Sequence, residues 1–198
     1  SSGITTVTNG SLAVTVSGSV SVSDINTINS DSATGVVTAT ASETDAATLT
    51  GLTTTSTDEI SITMGSSSTA ASDLNTIDSK TATAINATAI TALTGDASDV
   101  QTALASSGIT TVTNGSLAVT VSGEVTASDL NAIDLDNATG LITATAITAL
   151  TGDASDVQTA LASSGITTVT NGSLAVTVSG SVSVSDINTI NSDSATGV

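Results

Sequence analysis

The sequence predicts an α/β protein: a solenoid of stacked coils, each a short strand followed by a short helix, with the strands forming a parallel sheet. Three observations predict it. The chain repeats itself, it alternates two kinds of short segment at a steady spacing, and it has no aromatic residue to fill a wide core. Residues 1–36 recur unchanged as 163–198, and residues 87–123 recur unchanged as 144–180. A Ser-Asp pair followed by an apolar residue and Asn occurs four times, with its Asp at Asp24, Asp73, Asp129 and Asp186. Self-similarity of this kind is the mark of repeat architectures, in which each unit covers its neighbour. It makes 1–198 one continuous array, read as a fragment of a longer chain because neither end carries a polar capping repeat.

The strands come from alternation of apolar and polar side chains, which points successive residues to opposite faces of a sheet. The alternating runs are LAVTV (12–16), VVTAT (36–40), EISIT (59–63), AINAT (84–88), LAVTV (117–121), LITAT (141–145) and LAVTV (174–178). One face of the sheet takes Leu12, Val14 and Val16, Val37 with Ala39, Ile60 with Ile62, Leu117 with Val119, and Ile142 with Ala144. The other face is rich in hydroxyls: Thr15, Thr38, Thr40, Thr63, Thr88, Thr120, Thr143, Thr145 and Thr177, together with Ala13 and Ser61.

The helices come from cap chemistry. In SDINTINS, Ser23 or Asp24 is placed as N-cap, with Ile25 and Ile28 on one face. DASDVQTALAS puts Val100 and Leu104 one turn apart behind Asp96, where the helix dipole favours a carboxylate. ETDAATLTGL (43–52) reaches Gly51, a C-cap residue. Leu74, Ile77, Leu130 and Ile133 complete the helical contribution to the core. Helices this short are marginal alone and need a sheet to lie on, and strands joined by a helical crossover become parallel neighbours.

The common strand-to-strand step, from Leu12 to Val36 and from Leu117 to Leu141, falls within the size range of leucine-rich-type coils. Two steps are longer, from Ile85 to Leu117 and from Leu141 to Leu174. The added material is GITTVTNG. It reads as an extra short strand on another side of the coil, with Asn9-Gly10, Asn114-Gly115 and Asn171-Gly172 turning a corner. Asn-Gly between alternating runs is also the signal of a two-residue hairpin, which would place an antiparallel strand in the stack.

Composition narrows function. The chain has no Cys, His, Pro, Phe, Trp or Tyr, and 18 acidic residues against one basic residue, Lys80, for a net charge of −17. Without His or Cys there is no proton shuttle at neutral pH, no thiolate and no soft metal site. A single cation cannot neutralise a run of phosphates, so no nucleic-acid partner is expected. No apolar run is long enough for a membrane helix, so no membrane insertion is expected. A mean hydropathy of +0.38 with recurrent Val, Ile and Leu argues for a folded chain.

No enzyme is expected, and no catalytic or cofactor-binding residue. Paired carboxylates at Asp96 with Asp99 and Asp153 with Asp156 stand at helix starts, where capping accounts for them. Lys80 falls where sibling repeats carry Asp31, Asp136 and Asp193 and reads as surface variation. For calcium (Ca2+), the loop IDLDNATG gathers Asp134, Asp136 and Asn137, and its siblings hold Asn29 with Asp31 and Asn191 with Asp193. These are hard oxygen donors, although solvated turn carboxylates account for the same residues. A row of outward Thr is the chemistry of an ice-binding face, and strand preference accounts for it equally. The three Asn-Gly-Ser triplets fit N-glycosylation, and the turn already explains their Asn. Asn26, Asn75, Asn131 and Asn188 recur at one position and fit a structural ladder, stacked along the solenoid, that satisfies neighbouring backbone groups.

At SVSDINTINSDSATGVVTATASETDAATLTGL and ITALTGDASDVQTALASSGIT the chain resembles the tandem repeats of giant secreted or cell-surface, adhesin-like proteins, especially cyanobacterial ones. That resemblance spans essentially the whole chain and implies a long extracellular array with a mechanical or surface role, often calcium-associated. The glycine-aspartate nonapeptides that bind calcium in many such proteins are absent here. The expected function is structural: an extracellular or cell-surface filament, fibre or layer in which the partner is the protein itself. The alternative is a binding module, an adhesin stalk or an ice- or glycan-binding solenoid.

Overall fold

The computed structural model describes residues 12–32, 35–111, 117–136, 140–168 and 174–193. In chain order the elements are β1 (Val14–Val20), α1 (Val22–Ser32), β2 (Val37–Ala41), α2 (Ala46–Leu49), β3 (Glu59–Ser61), β4 (Ser68–Ala70), α3 (Ala71–Asp78), β5 (Ile85–Asn86), β6 (Ala92–Asp96), α4 (Ala97–Ala105), β7 (Ile109–Thr110), β8 (Ala118–Thr126), α5 (Ala127–Asp136), β9 (Ile142–Asp153), α6 (Ala154–Ala162), β10 (Ile166–Thr168), β11 (Ala175–Ser179) and α7 (Val184–Asp193). The protein is α/β, and every strand pair among the described residues is parallel. The chain divides into two compact units, residues 1–65, 73–88 and 107–110 in the first and 66–72, 89–106 and 111–198 in the second.

In the first unit β1, β2 and β3 lie side by side in that order, and β5 pairs with β7. Val14 stands opposite Val37 and Ala39 opposite Ile60, so each strand lies beside its counterpart one coil later in the chain. Thr63 bridges to Asn86, and Ile85 pairs with Ile109, again one coil on. The starts of β2 and β3 are held by residues further along the chain. The N–H of Val37 donates to Asp58 Oδ1 (2.8 Å), and that of Ile60 to Thr81 Oγ1 (2.9 Å). Asp58 is buried but not idle, because Thr55 also donates to its Oδ2 from its N–H (2.8 Å) and its hydroxyl (3.2 Å). A buried carboxylate is tolerated when its lone pairs are occupied in this way.

In the second unit the sheet runs β10-β9-β8-β6-β4, with β11 also on β9. Leu93, Val119, Ile142 and Ile166 stand in register along it and are all buried. Each step spans a similar stretch of chain, as in Ala92 to Ala118 and Val119 to Ile142. This even spacing replaces the two long steps expected from the sequence. Ile85 pairs with Ile109 in the first unit, and Ala92 pairs with Ala118 in the second. β9 meets β10 through residues 142–144 and β11 through 149–153. Alternation slips midway, where Thr145 and Ala146 are both exposed.

The extra short strand of the GITTVTNG segment is present as β7 and β10. All three Asn-Gly pairs lie outside the described residues. The strands flanking the third, β10 and β11, both run parallel to β9 and therefore in one direction, which the two arms of a hairpin cannot do. A bend of another kind falls later, at Gly18, Gly123 and Gly180, whose φ of 79°, 84° and 81° is open mainly to glycine. Gly165 has a different reason. An added Cβ there would collide with the Asp134 carboxylate.

Helix starts lie earlier than expected. The cap of α1 is Ser21, whose hydroxyl accepts from Asp24 N–H (3.1 Å) and donates to Asp24 Oδ2 (2.8 Å). Ser183 and Asp186 repeat this at α7, where Ser183 N–H also donates to Asp186 Oδ2 (3.0 Å). The Asp read as a cap is thus the third-position partner of a capping box. In α4 the expected Leu104 is half-buried, and the inward stripe is Ala97, Val100 and Ala103. Leu12, assigned to the core, is exposed, and Val14, Val16 and Ile28 are half-buried, whereas the other residues assigned to the core are buried.

Candidate assembly faces

The clearest site-like feature is a pair of faces made by one sequence. Residues 12–31 and 174–193 are identical, and each folds as a strand, a glycine bend and a capped helix. Their apolar residues divide into two sets. Leu12 is 52% exposed, but its twin Leu174, which has β9 before it, is 2% exposed. Val22 and Ile25 are 6% and 0% exposed where β2 and α2 follow, but their twins Val184 and Ile187 are 76% and 52% exposed. So Leu12 belongs to a face that takes the preceding coil, and Val22 with Ile25 to a face that takes the following one.

Polar groups follow the same division. Val22 N–H donates to Glu43 Oε2 (3.0 Å). Asn26 donates to Gly51 O (2.8 Å), and its Oδ1 accepts from Thr53 N–H (2.8 Å) and Thr53 Oγ1 (3.1 Å), while Asn29 donates to Thr53 O (3.0 Å). Asn131 reaches Asp156 O in the same manner (3.0 Å). The recurrent Asn therefore ties a helix to backbone of the next coil. Its last copy, Asn188, is exposed.

The acidic residues serve the coils. Asp153 caps α6, accepting from Asp156 N–H (3.0 Å) and Ser155 Oγ (2.7 Å), and these donors hold its pKa below the usual carboxylate range. Asp45, capping α2 through Thr48, is lowered in the same way. Asp186 is lowered by the Ser183 hydroxyl first, then by Ser183 N–H and Gln158. Asp96 precedes α4 without a side-chain cap bond. In the calcium loop, Asp134 Oδ2 accepts from Ser163 Oγ (2.8 Å), Asp136 is exposed, and Asn137 lies outside the described residues. Among the described residues no three acidic side chains gather at one point. Lys80 is half-exposed, and its carbonyl accepts from Thr54 Oγ1 (2.8 Å).

The Thr face is as expected: none of its assigned residues is buried. In the second unit it forms two in-register rows, Thr94, Thr120, Thr143 and Thr167, and Thr126, Thr151 and Thr177. No described helix is long and apolar enough to cross a membrane. No family model, curated protein or solved structure matches the chain.

Proposed function

We propose that the protein is structural: a length of α/β solenoid in an extracellular or cell-surface fibre that grows end to end, similar in kind to the repeats of giant adhesin-like surface proteins. The observation that carries this reading is that a repeated segment is covered by the chain that follows it: Val22 and Ile25 are buried, and Asn26 bonds Gly51 and Thr53. Covering a Val or Ile side chain contributes about 1.5–3 kcal/mol, and an open strand edge adds unpaired backbone groups. A contact between unlike faces is heterologous, and it propagates as a filament where its rotation does not close a ring. A net charge of −17 opposes sideways clumping.

Sedimentation velocity over a concentration series, with electron microscopy, tests the proposal. Head-to-tail species and uniform filaments are expected, and Val184→Asp with Ile187→Asp removes them. A monomer at every concentration would overturn it.

A second reading, a surface that orders water or binds glycans, is favoured by the two Thr rows, whose neighbours stand about 4.8 Å apart as adjacent strands do. Ice-recrystallisation inhibition by the intact chain, lost on replacing Thr126 and Thr177 with Lys, would support it.

A further inference from the structure

We infer that tension draws this chain out one strand-and-helix segment at a time, which makes it an extensible element. The property belongs to the single chain, and its use in a fibre rests on the filament reading. In the second unit Ala92 stands opposite Ala118, Val119 opposite Ile142 and Ala149 opposite Ala175. The helices keep the same order, α4 packing on α5, α5 on α6 and α6 on α7. The segments β8-α5 and β9-α6 therefore have such neighbours on both sides. Side-chain bonds join segments over the same reach in each unit. Those from Val22 to Glu43, Asn26 to Gly51 and Val37 to Asp58 span 21, 25 and 21 residues, and those from Asn131 to Asp156 and Ser163 to Asp134 span 25 and 29.

A bond between adjacent segments bridges only the chain that separates them. Pulled along the chain, such joints bear load one after another, so one yields while its neighbours hold. Bonds reaching over several segments would share the load and fail together. Repeat architectures have this nearest-neighbour energetics, in which each unit contributes its own stability and that of its interfaces. The gain in length is large. Paired strands stand about 4.8 Å apart, whereas the 25 residues that separate Asn131 from Asp156 reach about 85 Å when fully extended. A released segment also leaves its former neighbour folded, a template on which it pairs again when the load falls.

Single-molecule force spectroscopy on the full chain, held between handles of known length, tests the inference. Successive peaks are expected, each adding about 70–100 Å of chain, and they should return after relaxation. The chain has no cysteine, so one joint can be stapled. Thr120 and Thr143 stand opposite each other and are both half-buried, and neighbouring strands lie within the reach of a disulfide. Oxidised Thr120→Cys with Thr143→Cys should lose one peak and keep the others, and a reductant should restore it. Ser163→Ala, which removes the bond to Asp134, should lower the force of one peak only, with circular dichroism confirming that the variant folds. A single rupture that frees the whole folded length at once would overturn the inference, as would a staple that abolishes every peak. Either result would leave end-to-end growth, which sedimentation reads, standing on its own test.

Discussion

Residues 12–31 and 174–193 are one stretch of sequence in two settings, and the setting decides what each is for. In the first, Val22 and Ile25 are interior and Leu12 faces out; in the second, Leu174 is interior and Val184 and Ile187 face out. Even local structure responds. β1 runs on to Val20 because Ser19 and Val20 pair with Thr40 and Ala41, whereas β11 ends at Ser179. Burial is thus a property of neighbours, since the local sequence of the two segments is the same.

The largest contrast should come from the same substitution in both settings. Ile25→Asp places a charge in a fully buried site and should cost about 4 kcal/mol or more. Ile187→Asp should change stability by less than about 0.5 kcal/mol and weaken association. Denaturant unfolding followed by circular dichroism reads the first, and sedimentation the second. Equal destabilisation by both would mean that Ile187 is covered within the monomer.

Leu174→Ala and Leu12→Ala probe the opposite face. The first removes a packed side chain and should cost about 2–5 kcal/mol, and the second less than about 1 kcal/mol. Leu117→Ala, in a third copy of the same pentapeptide and also buried, should behave like Leu174→Ala. Thermal melts of the three variants rank them.

These contrasts explain what was legible in the sequence. Alternation identified Val37, Ala39, Ile60, Ile62, Leu117, Val119, Ile142 and Ala144 as interior, because a half-buried strand writes its burial into a period of two. It misplaced Leu12, whose local sequence is identical to that of Leu174. No pattern confined to a few residues can separate twins. β4, β6 and the second half of β9 went unread for a related reason. The sequences of β4 and β6, STA and ALTGD, carry Ala, Gly and Asp, poor strand formers, and they are extended because neighbours on the ladder pair with them. The sequence points to Ser23 or Asp24 as the cap of α1, whereas the cap is Ser21, which Asp24 bonds in return. The unequal burial of the two identical segments could be seen only once the structure of both was known.

A smaller contrast separates Asn26 from Asn188. Asn26→Ala removes bonds to Gly51 and Thr53 and should cost about 1–2 kcal/mol, whereas Asn188→Ala should leave unfolding unchanged and reduce association. If both variants melt alike, the Asn ladder is not a stabilising joint between coils.

The smallest effect concerns Asp186. Its pKa lies below the ordinary carboxylate value, chiefly through the Ser183 hydroxyl, then Ser183 N–H and Gln158 from the preceding helix. Because the folded pKa is lower than the unfolded one, this group stabilises the fold at neutral pH, and the contribution fades as pH falls through the carboxylate range toward the folded pKa. Ser183→Ala deletes the largest of these donors. The Asp186 titration, followed by carboxyl NMR shifts, should then move up toward the model-peptide value while keeping part of its depression from the two remaining donors. An unmoved titration would show that the hydroxyl points elsewhere in solution and that the capping box at α7 is held by its backbone arm alone.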